Sequence, residues 1–158
     1  MKREMTAVSG DLPVLDALIP RIMGDRRVQG MRGYVHHGRV STLEHCERVA
    51  RFSYRFNRRL HLHADETALL TGAMLHDFYL YDWHQSSGAV RHWHGFRHAE
   101  LARRNAVEYF GVSPLVQDII GSHMWPLNLT KLPRSREAWI VTLADKCCAV
   151  KESLFMRK

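Results

Sequence analysis

The chain has 158 residues, 46% of them hydrophobic and 25% charged, and its formal net charge is +7. This composition is typical of a globular protein with one hydrophobic core, and the lack of any run of 18 apolar residues excludes a transmembrane helix. The positive charge is compatible with nucleic acid, an anionic surface or a phosphorylated small molecule, and it does not choose among them. We therefore expect a single domain over residues 1–158, with residues 1–10 as a mobile tail.

Cysteine usage bears on the cellular compartment. Three cysteines are present, and two of them, Cys147 and Cys148, are adjacent and cannot easily bridge each other. No long apolar stretch follows the charged N-terminal residues, as a signal peptide would require. These features predict a reduced, cytoplasmic protein.

Hydrophobic periodicity predicts helices along most of the chain. The first runs from Leu12 to Met23, with Asp11 as its N-cap, and a connector rich in glycine and arginine extends from Gly24 to Arg39. The next helix has the clearest start, because Ser41 can cap it and Glu44 completes a capping box three residues later.

Two stripes run along this second helix. One is apolar and is extended by His45 towards the helix start, which predicts that His45 points inward; its members are Val49, Phe52, Phe56 and Leu60. The other is offset by one position and is expected to face solvent; its members are Arg48, Arg51, Arg55 and Arg59.

The remainder of the chain is predicted to alternate helices with loops. Helices are expected over about 64–77, 96–110 and 114–123, and from Ser135 to the end, with loops over 78–95 and 126–133. No stretch shows sustained alternation of apolar and polar residues, so the predicted fold class is all-α.

Six side chains of metal-binding type recur at intervals of about one helix and its turn: His45, His76, Asp77, His98, His123 and Asp145. Imidazole and carboxylate together suit Fe, Mn, Zn or Co. Taken alone, a histidine on an apolar helix face, such as His45, is more often a satisfied core residue. Asp145 is more informative, because a carboxylate in the middle of an apolar helix is costly unless it is paired or bound to a metal.

The order H…HD…D, carried by His45, His76, Asp77 and Asp145, resembles the HD-domain superfamily of metal-dependent phosphohydrolases. The intervening His98 and His123 resemble its six-ligand subset, which holds two metals. The resemblance covers about residues 35–155. Four further segments look like a bacterial subgroup of HD proteins: HHGRVSTLEH, WHGFRHAELARRNA, SHMWPLNLTKLPRSREAW and LADK.

The resemblance implies a compact bundle of about six or seven helices around a central metal site. It implies one or two divalent ions (Fe, Mn, Zn, Co or Ni), with Asp77 as the bridging and catalytic carboxylate. The first ion would be held by His45, His76, Asp77 and Asp145, and the second by Asp77, His98 and His123. The implied reaction is attack of a metal-activated hydroxide on a nucleotide or other small phosphorylated metabolite.

One departure concerns substrate binding. Many six-ligand HD proteins carry a lysine three residues after the HD aspartate, where this chain has Leu80. Lys131, Arg134 or Arg136 could replace it as a substrate contact, and we predict the first two. For each of the three a structural explanation is favoured over substrate contact: a solvated position for Lys131 and Arg134, and a place in the first turn of the last helix for Arg136. Lys146 projects about 100° away from Asp145 on the helix and is expected to lie outside the ligand set.

Further histidines could relay protons near neutral pH, but a surface position or a role in orienting a ligand is favoured for them. They are His36, His37, His92 and His94.

Two other functions fit the same residues. One is a di-iron oxygenase of a small organic substrate, which some HD proteins with these six ligands are. The other is a non-catalytic nucleic-acid-binding or regulatory module that uses the arginine stripe. A complete set of inward-facing ligands argues against the second, so specific nucleic-acid binding is not expected.

Overall fold

The computed structural model describes residues 13–37, 39–80 and 88–155, without the side chains of 37, 88–96 and 155. Within these ranges it contains seven α-helices and a two-stranded antiparallel ribbon, so the predicted all-α bundle is confirmed. The helices are α1 Val14–Met23, α2 Arg26–Gly30, α3 Thr42–Arg59, α4 Glu66–Leu75, α5 Gly88–Phe110, α6 Pro114–Ser122 and α7 Arg136–Phe155. The strands are β1 Val35–His37 and β2 Val40–Ser41. The predicted tail and the predicted cap Asp11 lie outside the described residues.

The predicted connector between the first two long helices contains regular structure. Asp25 begins α2, since its side chain accepts a hydrogen bond from the backbone N–H of Arg27 at 2.8 Å. A 3₁₀ turn, Met31–Gly33, follows and leads into β1. The sequence predicted the connector but not the short elements within residues 26–37, because elements of five residues or fewer are too short to show hydrophobic periodicity.

Helix α3 begins as predicted. The hydroxyl of Ser41 accepts from the backbone N–H of Glu44 at 3.3 Å, and the Glu44 carboxylate accepts from the backbone N–H of Ser41 at 2.9 Å. This reciprocal capping box fixes the first turn, and His45 points inward from it, fully buried. Leu60, predicted to continue the apolar stripe, is 51% exposed, because α3 ends one residue before it.

Helix α4 occupies the middle of the bundle and packs against α1, α3, α6 and α7. Every residue from Ala68 to Leu75 is buried. A Cβ at Gly72 would lie 2.5 Å from Ile119 Cγ2, so the absence of a side chain there lets α4 and α6 approach closely. The chain leaves this central helix at His76 and Asp77, which places both residues deep inside the molecule.

Helix α5 is longer than predicted. It begins at Gly88, so the expected loop over residues 78–95 is wrong from Gly88 onward, and residues 81–87 lie outside the described part. Gly88 and Gly95 had indicated irregular structure, yet a glycine inside a helix costs only about 1 kcal/mol relative to alanine. A long helix can tolerate that cost.

The short ribbon and α7 complete the surroundings of the site. Val35 pairs with Ser41 and His37 with Val40, and β1 packs against α3 and α7. Helix α7 begins next to Ser135, as predicted, with the Ser135 hydroxyl accepting from the backbone N–H of Ala138 at 3.1 Å. The ribbon thereby brings His36 next to His45 in the first turn of α3 and to Glu152 of α7.

Candidate metal centre

The fold brings the six predicted metal-type side chains to one buried place. They come from five places, with two adjacent residues at the end of α4 and one each in the first turn of α3, the middle of α5, the end of α6 and the middle of α7. All six are at most 7% exposed, and they are His45, His76, Asp77, His98, His123 and Asp145.

The first group of contacts lies around Asp145. Its Oδ1 is 3.0 Å from His45 Nε2 and 3.6 Å from His76 Nε2. The same nitrogen of His76 is 3.5 Å from Asp77 Oδ2. The ligand atoms of His45, His76 and Asp145 all lie within 4.8 Å of one another, which is close enough to surround one ion.

The second group lies around the other oxygen of Asp77. Oδ1 is 3.3 Å from His98 Nε2 and 3.5 Å from His123 Nε2, and these two nitrogens are 3.1 Å apart. Asp77 therefore has one oxygen directed at each group, which is the position that a carboxylate shared by two ions requires.

Hydrogen bonds to the backbone fix the tautomers of two histidines. His76 Nδ1 lies 2.7 Å from the carbonyl oxygen of Ala73, and His123 Nδ1 lies 2.7 Å from that of Ile120. A carbonyl oxygen only accepts, so Nδ1 carries the hydrogen in both rings and Nε2 of a neutral ring carries the lone pair. Both lone pairs then point into the centre.

The centre fits a cation better than it fits hydrogen bonding alone. His76 Nε2 and Asp77 Oδ1 are buried and have no hydrogen-bond partner among the described residues. A buried polar atom without a partner is costly, and lone pairs that face one another repel unless a proton or a metal ion lies between them. Four imidazoles and two carboxylates form a donor set suited to Fe, Mn, Zn or Co.

Charge pairing shifts the acidities of the central carboxylates. Burial raises the pKa of Asp77, but the positive charge of His76 and hydrogen bonds from neighbouring histidines outweigh it and hold the pKa well below the usual range. Asp145 behaves likewise: the hydrogen bond from His45 and the nearby positive charges of His76 and Lys146 overcome burial and lower its pKa. Both carboxylates are thus ionised at neutral pH, as metal ligands must be.

The histidines divide into two kinds. Burial lowers the pKa of His76, but the charge of Asp77 more than compensates, and the net pKa is raised well above its usual value. The pKa of His45 is raised as well, because hydrogen bonds to Asp145 and Glu152 outweigh burial. In His123 burial dominates and lowers the pKa to about 4, so this ring is neutral over the physiological range.

Three more side chains contact the centre: Glu152, His36 and Lys146. Glu152 Oε2 lies 2.8 Å from His45 Nδ1. His36 Nε2 lies 2.9 Å from Asp77 Oδ2, and the His36 ring stacks on that of His45 at a centroid distance of 3.8 Å. His36 therefore contacts a candidate ligand, in keeping with the expected orienting role.

Sequence reasoning missed two of these contacts. Glu152 lies two helical turns after Asp145, and this spacing on one helix face was a signal that could have found it. Lys146 was expected only to lie outside the ligand set, but its flexible side chain bends back, and Nζ lies 2.7 Å from Asp145 Oδ2 and 2.8 Å from the carbonyl oxygen of His123. The direction of its Cβ did not predict this contact, because it does not fix the end of a lysine side chain.

The predicted substrate contacts lie at the surface. The side chains of Lys131 and Arg134 are exposed, and neither touches the six central side chains in the part of the chain that is described. The backbone N–H of Arg134 donates to Asp118 Oδ2 at 3.2 Å. Arg136 donates to the carbonyl oxygens of residues 62 and 63, which gives it a structural contact. Substrate binding by Lys131 or Arg134 stays a prediction.

Three of the further histidines named from the sequence have side chains that are not described. The side chains of His37, His92 and His94 lie outside the described residues. Among the helices that are described, none is long and apolar enough to cross a membrane.

Comparison with known proteins agrees with the geometry. No curated protein and no solved structure matches the chain. The HD domain family matches residues 42–150, a range that begins at the first residue of α3 and ends within α7. The match includes all six converging side chains, and the chain therefore belongs to the HD domain family.

Proposed function

We propose that this protein is a metal-dependent phosphohydrolase that acts on a nucleotide or another small phosphorylated metabolite. The observation that supports this most directly is the convergence of buried Nε2 atoms on two ionised carboxylates, with Asp77 directed at both groups. Membership of a family of metal-dependent phosphohydrolases supports the same reaction class.

In this proposal the two groups hold two divalent ions. His45, His76, Asp77 and Asp145 hold the first, and Asp77, His98 and His123 hold the second. When bound, such ions polarise a phosphoryl oxygen and lower the pKa of water, which supplies both electrophilic stabilisation and a nucleophile at neutral pH. Fe, Mn, Zn, Co and Ni all suit the donor set.

The residues of the chain itself position the ions and balance charge. Hydrogen bonds to the carbonyl oxygens of Ala73 and Ile120 orient His76 and His123 with Nε2 inward. Lys146 places a positive charge beside Asp145 and is 38% exposed, so its amine can also face an anionic substrate. Lys131 and Arg134 are the proposed contacts that compensate for the lysine absent at Leu80.

The direct test combines metal analysis with an activity screen. Protein purified without a metal-affinity tag is assayed for metal content, then reconstituted with Mn, Fe, Co, Ni or Mg and screened against nucleotides, phosphomonoesters and cyclic dinucleotides. We expect metal-dependent release of phosphate or of a phosphomonoester, with Asp77→Ala losing nearly all activity. Glu137→Gln is the control, because Glu137 is a buried glutamate of α7 whose side chain accepts from the backbone N–H of Asp65, away from the centre.

A different result would select another reaction. If fully metallated protein turns over no phosphoester and instead consumes O₂ with a small organic substrate, the oxygenase alternative replaces this proposal. Nearly two irons per chain with the EPR signal of a mixed-valent pair would point the same way.

A further inference from the structure

Glu152 is buried in the last turns of α7, between the exposed residues Val150 and Leu154. Its side chain is only 2% exposed, and Oε2 lies 2.8 Å from His45 Nδ1. His45 Nε2, on the other side of the ring, is 3.0 Å from Asp145 Oδ1. The imidazole is therefore held between two carboxylates of one helix, and each carboxylate contacts a different ring nitrogen.

These two contacts have different chemical consequences. An ionised carboxylate only accepts, so without a metal both ring nitrogens of His45 donate and the ring is charged. When an ion of the first group takes the lone pair of Nε2, the one remaining hydrogen must lie on Nδ1, where Glu152 accepts it. His76 and His123 obtain the same tautomer from backbone carbonyl oxygens, whereas His45 obtains it from the side chain of Glu152.

The surroundings hold Glu152 in place. Its second oxygen, Oε1, accepts from Arg48 Nη1 at 3.3 Å, and Arg48 lies one turn after His45 on α3. The His36 ring stacks on His45 with an interplanar angle of 14° and so limits rotation of the imidazole. A buried carboxylate is stable when it is both paired and hydrogen-bonded, and Glu152 meets both conditions.

We propose that Glu152 is a positioning residue that fixes the tautomer and orientation of His45 and thereby sets the affinity of the first group for its metal. This inference rests on the proposed metal centre. Hydrogen bonds to the outer nitrogen of a ligating histidine raise its basicity and fix its direction, and their loss typically lowers metal affinity by about 10- to 100-fold. Arg48 acts one contact further out, so its removal has a smaller effect.

The test measures Zn²⁺ affinity by competition with a chromophoric chelator, using the full chain. We expect Glu152→Ala to weaken the binding of one Zn²⁺ ion, that of the first group, by about 10- to 100-fold, and Glu152→Gln to fall between Ala and wild type, since the amide oxygen still accepts. Glu137→Gln is the matched control, because Glu137 is also a buried glutamate of α7 but accepts from the backbone N–H of Asp65. It should leave Zn²⁺ affinity unchanged even if it lowers the melting temperature.

A second measurement does not depend on any variant. Long-range ¹H–¹⁵N correlation spectra of the Zn²⁺-loaded wild type should show His45 with its hydrogen on Nδ1 and a metal-bound Nε2. In Glu152→Gln the Nδ1 hydrogen should exchange faster with water, because a neutral amide is a weaker acceptor than a carboxylate.

The outcomes separate the two proposals. Wild-type affinity in Glu152→Ala, or a His45 ring with its hydrogen on Nε2, overturns the role of Glu152 and leaves the metal centre standing. Failure of the wild type to bind Zn²⁺ overturns the metal centre itself. If Glu152→Ala does not fold, Glu152→Gln and the wild-type spectrum decide the question.

Discussion

His45 Nε2 and Asp145 Oδ1 lie 3.0 Å apart although 100 positions separate the two residues in the chain. The contact joins the first turn of α3 to the middle of α7, and both side chains are buried. The two helices also pack directly against each other. Protonation or metal binding at this contact must therefore affect the stability of the whole bundle.

The stability of the metal-free protein should pass through a maximum near pH 6.5. The pKa values of His45 and His76 are raised in the fold, so their stabilising contribution is complete below about pH 6.5 and is lost as the pH rises. The pKa of His123 is lowered to about 4, so its contribution is present above about pH 6.5 and is lost as the pH falls. Melting temperatures measured in EDTA between pH 4 and 9 test this.

Addition of Zn²⁺ should change the shape of this profile. Protons compete with metal for imidazole, so the increase in melting temperature should be larger at pH 8 than at pH 5. A metal-free melting temperature that rises continuously up to pH 9 would show that His45 and His76 are not held in their charged forms.

Two substitutions should change metal content differently. His98→Ala should remove one ion and leave the other, because His98 Nε2 faces Asp77 Oδ1 and His123 Nε2, which belong to the second group. Asp77→Ala should weaken both, because its two oxygens face both groups. Metal content per chain after gel filtration distinguishes these outcomes.

A histidine outside the centre provides the control for this series. His63 is exposed and has a φ of 53°, which asparagine tolerates well, so His63→Asn should keep the wild-type metal content. Unchanged metal content in His98→Ala would indicate a site for one ion and would give His98 another role.

Gly72→Ala should destabilise the protein. Alanine is favoured over glycine in a helix by up to about 1 kcal/mol, but its Cβ would lie 2.5 Å from Ile119 Cγ2. Overpacking of a core typically costs about 1–3 kcal/mol, so the net effect on the free energy of unfolding should be a loss. Urea denaturation measures it.

Gly30→Ala serves as the comparison. Gly30 ends α2 with a φ of −57°, and nothing lies within 4 Å of the position of a Cβ. This substitution should be neutral or slightly stabilising. Partial recovery of Gly72→Ala by Ile119→Val would localise the clash, and equal stability of both glycine variants would show that α4 and α6 can move apart at little cost.

The cysteines should differ in reactivity. Cys147 is exposed, whereas Cys46 and Cys148 are buried. Burial raises the pKa of the Cys46 thiol, and burial together with the charge of Glu152 raises that of Cys148 to about 11. Because the thiolate is the nucleophile, iodoacetamide at pH 8 should label Cys147 alone in the native protein and all three in urea. Native labelling of Cys148 at the rate of Cys147 would contradict the structure.

The arginines of α3 should bind nucleic acid only weakly. Arg55 and Arg59 are exposed, but Arg48 and Arg51 are half-buried and paired with Glu152 and Glu47, so only part of the predicted stripe faces solvent freely. We expect no specific binding at physiological salt and a steep salt dependence below it. Replacement of Arg55 and Arg59 by Gln should reduce the slope of log K against log salt by about 2 in magnitude. Tight, sequence-selective binding that resists salt would support a binding module.

Long periodic helices were predictable because each signal was local. The capping box at Ser41 and Glu44, and the Ser135 cap of α7, lie within four residues and need no tertiary information. The inward direction of His45 followed from its place on an apolar face. The exposure of Leu60 could not be predicted in this way, because burial at a helix end depends on which helix packs there.

The surroundings of the centre were less predictable for a physical reason. His36 reaches Asp77 from a ribbon strand of three residues, which is too short to produce a periodic pattern. Lys146 reaches Asp145 through four rotatable bonds, and helix geometry specifies only the direction of the first. Side chains that orient the candidate ligands thus depend on tertiary contacts that no local pattern encodes.

The burial of α4 on all sides has a consequence for hydrogen exchange. A helix covered by four others exposes its amides only when the bundle opens as a whole, whereas the outer helices can fray separately. His76 and Asp77 follow directly on this most protected segment. Fluctuations at the periphery, where a substrate must enter, can therefore be large while His76 and Asp77, the carboxylate that faces both groups, keep their positions.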